Sequence, residues 1–324
     1  MALGEFALID RFFRRPVRSA ALGVGDDCAL LSPAPGMQLA ISTDMLVEGR
    51  HFLPTVDPAR LGHKALAVNL SDLAACAATP RAFTLALALP ESNPDFLEPF
   101  ARGLLALADA HGCELVGGDT TRGPLNICIT VFGEVPTGQA LLRSGARPGD
   151  DIWVSGTLGD ARLALEVFRG RRQLQAAAFE AARARMELPT PRVALGLALR
   201  GLATAAIDIS DGLLGDLTHV LKASQVGAQI DAAAAGDLLA TRRTDCVDGL
   251  DDSAALELVL AGGDDYELAF TAPPAQREAV LAAAALAATR VTRVGCIEAQ
   301  RGVRVVDATG KPLSQRYAAF DHFA

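Results

Sequence analysis

The order of helical and strand periodicities most limits the fold of this chain. Alternating apolar residues predict strands over 83–89 and 127–131, and spacings of three or four residues predict helices over 58–78 and 95–111. A strand over 114–116 is predicted to end at a sharp Gly117-Gly118 turn, with the next strand following directly. Strict strand–helix alternation is therefore absent, which favours an α+β fold of two α/β domains over one doubly wound sheet.

A turn cluster marks the predicted domain boundary. The 324 residues suit two domains better than one, and Arg147-Pro148-Gly149-Asp150 forms the cluster. Beyond it, strands are predicted over 151–155, 205–209 and 266–271, and a helix over 213–223. The sequence therefore predicts an N-terminal domain over 1–148 and a C-terminal domain over 149–324.

Composition excludes several functional classes. The formal net charge of −8 argues against nucleic-acid binding, which relies on clustered Lys and Arg. The six cysteines form no CxxC pair, so free thiols in a reducing cytosol are expected. No signal peptide is recognisable, and no run reaches the roughly 18 apolar residues of a membrane helix. We expect a soluble, cytoplasmic protein without membrane contact.

The common phosphate-binding loops are absent from the sequence. Gly310-Lys311 is followed by Pro312 and lacks the upstream glycine spacing of a P-loop. Gly23-Val24-Gly25 continues into Asp26-Asp27 and does not form a dinucleotide-binding fingerprint. The five histidines have no recognisable triad partner. Any nucleotide chemistry must therefore use another kind of site.

Aspartates at turns and strand ends suggest that site. They are Asp27, Asp44, Asp119, Asp208, Asp211, Asp264 and Asp265. Asp72 lies inside a helical pattern, one turn after Asn69, and needs a partner if it is buried. Several carboxylates converging from loops would suit a Mg²⁺–nucleotide site. The alternative for each residue alone is an ordinary turn or helix cap, as for Ser210-Asp211-Gly212.

Together these segments resemble the thiamine-monophosphate kinases, within the superfamily of aminoimidazole ribonucleotide synthetase and selenophosphate synthetase. The resemblance runs nearly end to end. Its motifs are GEF at 4–6, GDDCA at 25–29, ISTDMLVEGRHF at 41–52, AVNLSDLA at 67–74, GGDTTRGP at 117–124, RSGA at 143–146, DISDG at 208–212, GGDDYE at 262–267 and FDHF at 320–323.

This resemblance implies an activity and an architecture. The family transfers the γ-phosphate of ATP to thiamine monophosphate, giving thiamine diphosphate and ADP, with several Mg²⁺ ions. It implies an N-terminal mixed-sheet domain that binds ATP and Mg²⁺ and forms a barrel with a second subunit, and a C-terminal α/β domain that completes the nucleotide and substrate site. A homodimer is therefore expected, and the strand over 83–89 is a candidate for its interface.

The resemblance also implies roles for individual residues. The implied metal ligands are Asp27, Ser42, Thr43, Asp44, Asp72, Asp119, Asp208 and Asp211. The implied ATP contacts are Gly118, Asp119, Arg143 and Ser210, and the implied catalytic residues are Asp44, Asp72, Asp119 and Arg143. His51, Asp264 and Phe320 are implied to contact thiamine phosphate. Phe320 could add a cation–π contact to the thiazolium ring, or it could anchor the C-terminus in the core.

One departure and three alternatives accompany this interpretation. Asp264 stands where the family more often has glutamate, so its carboxylate is one methylene shorter than that of the usual residue. A purine-precursor ligase would be expected to lack the ISTDMLVEGRHF and DHF segments. A selenophosphate synthetase would need a reactive cysteine before Cys28. An inactive nucleotide-binding scaffold would be expected to lose carboxylates that repel one another.

Overall fold

The computed structural model describes residues 4–241, 250–314 and 317. Two compact units are present: Met1–Leu73 with Ala78–Gly138, and Ala74–Ala77 with Gln139–Ala324. We call them unit 1 and unit 2. Each contains one mixed sheet with helices, so the predicted α+β class is confirmed. None of the described helices combines the length and the apolar character needed to cross a bilayer.

Unit 1 is built on a four-stranded sheet in the order β1-β4-β2-β3. Its strands are β1 (Met37–Val47), β2 (Thr79–Leu89), β3 (Glu114–Arg122) and β4 (Asn126–Pro136). β4 pairs antiparallel with β1 and β2, whereas β2 and β3 run parallel. The helices are α1 (Glu5–Phe12), α2 (Pro58–Ala75), whose last two residues belong to unit 2, and α3 (Pro94–Ala110).

Helices α2 and α3 start at capped N-termini and pack closely. The Asp57 carboxylate accepts the N–H groups of Ala59 and Arg60 at the start of α2. A Cβ atom on Gly62 would lie 2.1 Å from the carbonyl oxygen of Phe100. A Cβ atom on Gly103 in α3 would likewise lie 1.9 Å from the carbonyl oxygen of Ala59. Only glycine at these two positions lets the helices approach so closely.

Strand β3 corrects one expectation. We expected a sharp turn at Gly117-Gly118, but β3 continues through both glycines to Arg122. Gly118 adopts φ +143°, and a Cβ atom there would lie 1.9 Å from the carbonyl oxygen of Leu85 in β2. Gly118 therefore accommodates an irregular, close pairing of parallel strands, in which the register shifts between Phe83 and Thr84.

Unit 2 is built on a six-stranded sheet in the order β10-β7-β9-β5-β8-β6. Its strands are β5 (Asp151–Ser155), β6 (Ala205–Ile209), β7 (Gly227–Asp231), β8 (Glu267–Ala272), β9 (Val291–Glu298) and β10 (Gly302–Val306). The β7–β10 pair is parallel and the other pairs are antiparallel. Every residue of β5, β6 and β8 is buried.

The helices of unit 2 cover this sheet. They are α4 (Asp160–Phe168), α5 (Ala176–Glu187), α6 (Val193–Ala198), α7 (Leu213–Ser224), α8 (Ala232–Gly236), α9 (Asp252–Ala261) and α10 (Arg277–Leu286). The main core includes Ile207 and Ile209 of β6, Leu217 of α7 and Val259 of α9, all buried. The core therefore fixes the C-terminal end of β6 and the N-terminal end of β8. Several predicted site residues lie at or next to these ends.

Candidate functional site

One group of predicted site residues lies on β1 and α2 of unit 1. The Ser42 hydroxyl donates a hydrogen bond to the Asp72 carboxylate. The backbone N–H of Asp44 donates to Oδ1 of Asn69 at 3.1 Å, and Asn69 lies one helical turn before Asp72. The carboxylate in the apolar helix thus has a partner. Ser42, Asp44 and Asp72 form one oxygen-rich group, which we call the β1–α2 group.

Thr43 faces the other side of the sheet. Its hydroxyl lies 2.8 Å from the hydroxyl of Thr130 in β4, its register partner. Successive side chains of a strand point to opposite faces, so the Thr43 side chain is separated from those of Ser42 and Asp44. Of the three consecutive predicted metal ligands, Ser42 and Asp44 therefore direct their side chains to one face of the sheet and Thr43 to the other.

Asp44 and His51 have further local contacts. The pKa of Cys128 is raised mainly by burial and secondly by the Asp44 carboxylate. The charge of Asp44 therefore lies close to that thiol. Nδ1 of His51 accepts the N–H of Val47 at 3.0 Å and closes the turn after β1. His51 therefore has a local structural role in this turn.

A second group lines a cavity of about 780 Å³ in unit 1. Asp27, Gly118 and Asp119 lie on its wall, as do Gly117 and Thr120 of β3. Because β3 and β1 form opposite edges of the sheet, this cavity and the β1–α2 group occupy different places in unit 1.

Helix α1 and the segment that follows it supply cavity residues that sequence reasoning missed as functional. Phe6 and Arg14 both line the cavity, and the Phe6 side chain is 79% exposed. Nη1 of Arg14 donates to Asp10 at 2.8 Å, and its guanidinium lies over Gly25, next to Asp26. Sequence reasoning missed Phe6 because an apolar side chain in a helix is ordinarily buried, whereas this one is exposed.

A third group lies in unit 2, where two loops meet. Asp208 is the penultimate residue of β6, Ser210 and Asp211 follow that strand, and Asp264 precedes β8. The N–H of Asp264 donates to the carbonyl of Ser210 at 2.7 Å, and the N–H of Tyr266 donates to that of Ile209 at 2.8 Å. These predicted metal, ATP and substrate residues are therefore neighbours.

Asp216, in the first turn of α7, holds one of these loops. Its Oδ2 accepts the N–H groups of Ser210 and Asp211, each at 3.0 Å. Burial raises the pKa of Asp216 to about 6, although hydrogen bonds from the loop act in the opposite direction. Sequence reasoning did not select Asp216, because an acidic residue in a first helical turn is ordinary.

Arg143 lies on a separate loop of unit 2. Oγ of Ser224, at the end of α7, accepts the N–H groups of Gly145 and Ala146, each at 3.1 Å. The same hydroxyl donates to the carbonyl of Arg143 at 3.2 Å. The exposed Arg143 side chain thus projects from a tethered backbone. Phe320, the remaining predicted substrate contact, lies outside the described residues.

The donor chemistry fits Mg²⁺. The predicted ligands offer only carboxylate and hydroxyl oxygens, which this hard cation prefers. Within the part of the chain that the structure describes, no three His, Cys, Asp or Glu side chains form a ready-made metal cluster. Mg²⁺ commonly takes one or two carboxylates, with water and substrate phosphates completing its shell, so pairs such as Asp44 and Asp72 are compatible with it.

Comparison with known proteins identifies both halves of the chain. The family profile described as AIR synthase related protein, N-terminal domain, matches residues 25–135. The profile described as AIR synthase related protein, C-terminal domain, matches residues 147–308.

Individual relatives are also similar over nearly the whole chain. Thiamine-monophosphate kinase of Salmonella typhimurium is 47% identical over an alignment of 330 positions, covering 100% of this chain and 99% of the relative. The crystal structure of thiamine-monophosphate kinase from Stenotrophomonas maltophilia superposes with a TM-score of 0.85 at 46% identity, covering 97% of this chain and 99% of that one. AaThiL complexed with AMPPCP and TMP gives a TM-score of 0.76 at 30% identity, covering 90% and 89%. This chain belongs to the thiamine-monophosphate kinase family of AIR synthase related proteins.

Proposed function

We propose that this chain transfers the γ-phosphate of ATP to thiamine monophosphate, giving thiamine diphosphate and ADP. The observation that carries the proposal is the 47% identity over the full chain to a thiamine-monophosphate kinase. The relative AaThiL, complexed with AMPPCP and TMP, supports the same pair of substrates. Thiamine monophosphate and ATP are thus the proposed partners, and nucleic acid is not.

Phosphoryl transfer between two anions requires alignment and charge neutralisation more than covalent chemistry. In unit 1 we assign the nucleotide to the 780 Å³ cavity, since it is lined by Asp27, Gly118 and Asp119. The exposed ring of Phe6 offers a flat apolar surface to a base. Arg14 offers a guanidinium to an anion on the same wall.

Several Mg²⁺ ions are part of this proposal. When bound, they would neutralise the phosphates and hold the two substrates in line. In unit 1 the proposed ligands are Asp27, Ser42, Asp44, Asp72 and Asp119, with Thr43 contributing through its backbone. In unit 2 they are Asp208 and Asp211. The hydrogen bond from Ser42 keeps the Asp72 carboxylate oriented before any ion arrives.

The remaining roles follow the family resemblance. We assign Arg143 and Ser210 to ATP, and His51, Asp264 and Phe320 to thiamine phosphate. Asp44, Asp72, Asp119 and Arg143 are the proposed catalytic residues. With the boundary predicted from the sequence, residues 1–148 are the nucleotide-, metal- and dimer-forming domain and 149–324 contribute the other nucleotide and substrate groups. Residues 139–148, and with them Arg143, group with unit 2 in the structure.

A homodimer is the proposed assembly, and β1 is its proposed contact. β1 is an edge strand, and its outer face carries exposed Leu39, Ile41 and Met45. An exposed apolar edge strand of 11 residues is a template for pairing with another chain. The strand over 83–89, which the sequence suggested as an interface candidate, is part of β2, and β2 is paired on both sides by β3 and β4.

We also infer a cytoplasmic location, because ATP is the substrate and the described cysteines are free thiols.

The test is chromatographic. Purified protein is incubated with Mg-ATP and, separately, thiamine monophosphate, thiamine or formylglycinamidine ribonucleotide, with EDTA as the metal control. Thiamine diphosphate is expected only from the monophosphate and only with metal. ATP consumption with the purine precursor would instead indicate a ligase, and no turnover with any acceptor would indicate a nucleotide-binding scaffold.

The variant Asp72→Asn tests the metal role of the β1–α2 group. The amide keeps the shape of the side chain but removes the charge, so turnover should fall about 100-fold or more while the thermal midpoint changes little. Turnover and circular dichroism melting are measured together across a Mg²⁺ titration. Asp109→Asn, which alters an exposed surface ion pair, is the matched control. Unimpaired turnover by Asp72→Asn would remove the metal argument for this group.

A further inference from the structure

Glu267 forms a buried ion-pair cluster in unit 2. Its side chain is fully buried at the start of β8. Oε1 accepts hydrogen bonds from Nη2 of Arg185 at 2.6 Å and from Nη2 of Arg192 at 2.5 Å. Oε2 accepts from Nε of Arg192 and from the Ser155 hydroxyl, each at 2.6 Å. We call these four residues the Glu267 clamp.

The loop just before this clamp is strained. Asp264 and Tyr266 adopt φ values of +72° and +52°, the left-handed region that side chains rarely occupy. Such conformations persist only where the surroundings over-determine them, and they concentrate at functional sites. Asp264 also carries the shortened carboxylate of the GGDDYE motif.

The loop is held at several points. The backbone N–H of Asp264 donates to the carbonyl of Ser210 in the β6–α7 loop, and that of Tyr266 donates to the carbonyl of Ile209 at the end of β6. The buried Asp265 carboxylate accepts the N–H of Gly159 at 3.1 Å. The Glu267 clamp lies one residue after Tyr266 and ties the C-terminal end of the loop to α5 and to the segment before α6. A Cβ atom on Gly156 would lie 2.1 Å from Oε1 of Glu267, so the clamp is also tightly enclosed.

Stability alone is a weak reason for such a clamp. Replacing a buried ion pair by well-packed apolar side chains is often neutral or stabilising, because desolvation opposes the attraction. The bidentate grip of Arg192 on Glu267, in contrast, fixes both distance and direction. The cluster is therefore better suited to determining where the loop lies than to adding stability.

We propose that Arg185 and Arg192 are positioning residues for Asp264: by gripping Glu267, they hold the strained 264–266 loop where the Asp264 carboxylate meets the acceptor substrate. This inference rests on the proposed function, because that function supplies the thiamine phosphate contact of Asp264. It assigns the two arginines no contact with substrate. Their effect on binding must then pass through Asp264.

The first experiment uses Arg192→Lys, which keeps the charge and removes the bidentate grip. The KM for thiamine monophosphate should rise between about tenfold and 100-fold, more than kcat falls, while the KM for ATP stays unchanged. Arg185→Lys should give a smaller change in the same direction, because Arg185 donates a single hydrogen bond to Glu267. Arg171→Lys, on a 59%-exposed side chain paired with Glu166, is the matched control.

A double-mutant cycle tests the route through Asp264. In an Asp264→Asn background, Arg192→Lys should raise the KM for thiamine monophosphate no further, because the carboxylate that it positions is already lost. Additive effects would overturn the proposal. A lower thermal midpoint with an unchanged KM would overturn it as well, since that is the result of a purely structural clamp.

Hydrogen exchange separates this inference from the proposed function. In the unliganded protein, the amides of Asp264 and Tyr266 should exchange about tenfold faster in Arg192→Lys than in wild type or Arg171→Lys. Unchanged exchange would overturn the positioning role whatever the substrate is. If wild type makes no thiamine diphosphate, the proposed function fails. Faster exchange in Arg192→Lys would then still support the clamp as the holder of this loop.

Discussion

Single side chains hold the loops that carry the predicted site residues. Ser224 bonds three backbone groups of the Arg143 loop, and Asp216 bonds two of the Ser210–Asp211 loop. Both residues hold the backbone of a loop, and the side chains of that loop are proposed to contact ATP or Mg²⁺. Residues of this kind affect activity without contacting substrate.

Removing the Ser224 hydroxyl should loosen Arg143. We expect Ser224→Ala to raise the KM for ATP by at least about three- to tenfold, since it removes three hydrogen bonds that each contribute about 0.5–1.5 kcal/mol net. Steady-state kinetics with ATP as the varied substrate measures the change. Thr218→Val is the control, because that hydroxyl on the same helix bonds only the carbonyl of Leu214. An equal KM in both variants would contradict the tethering role.

At the scale of elements, the close pairing of β3 with β2 depends on Gly118. Gly118→Ala would place a Cβ atom 1.9 Å from the Leu85 carbonyl at φ +143°. We expect a loss of about 2 kcal/mol or more in the free energy of unfolding, together with lost nucleotide binding at the cavity. Urea unfolding and calorimetric titration with an ATP analogue are the measurements.

Gly112→Ala is the matched control for Gly118→Ala. Gly112 also has positive φ (+59°), but nothing lies within 4 Å of its added Cβ atom. Its cost should stay near 1 kcal/mol, from backbone strain alone. Equal losses in the two variants would show that close packing against β2 is unimportant.

Glu114 ties the segment after α1 to the start of β3. Its carboxylate accepts the N–H groups of Arg18, Ser19 and Ala20 and the Ser19 hydroxyl. Burial acts to raise the pKa of Glu114, but these hydrogen bonds together lower it below its ordinary 4.5. The ionised form is thus favoured in the folded state.

This lowered pKa predicts an acid-dependent stability. The contribution of Glu114 should be present above pH 4.5 and be lost as pH falls through the lower folded-state pKa. The stability difference between wild type and Glu114→Gln should therefore shrink as pH falls from 7 to 3 in urea unfolding experiments. Glu98→Gln, on an exposed pair, is the control. A difference independent of pH would argue against the tether.

At the scale of the whole molecule, the exposed face of β1 is the feature that concerns assembly. Ile41→Lys should convert the proposed dimer into a monomer, because a charge on this apolar face would be desolvated on pairing. Sedimentation velocity at micromolar concentration measures the change. Leu286→Lys, on an 89%-exposed leucine of α10, should leave the dimer intact. A monomeric wild type would refute the assembly itself.

The sequence by itself determined the elements and the chemistry of the donor groups. Strands β5 and β6 have the predicted bounds, because short alternating or fully apolar runs between turn residues are a local signal. The aspartates next to strand ends are also a local signal, and they predicted an oxygen-rich site. The resemblance to the thiamine-monophosphate kinases, built on such motifs, is confirmed by the relatives.

Only the tertiary structure decided which of these residues meet. It separated the Asp27–Asp119 cavity from the β1–α2 group by strand order. It also brought Arg185 and Arg192 to Glu267 across 82 and 75 residues of chain. Neither arginine stands out in the sequence, because a periodic pattern records which face of an element is buried and not which distant side chain it meets. That pairing depends on how the helices pack on the sheet, which is a property of the folded unit as a whole.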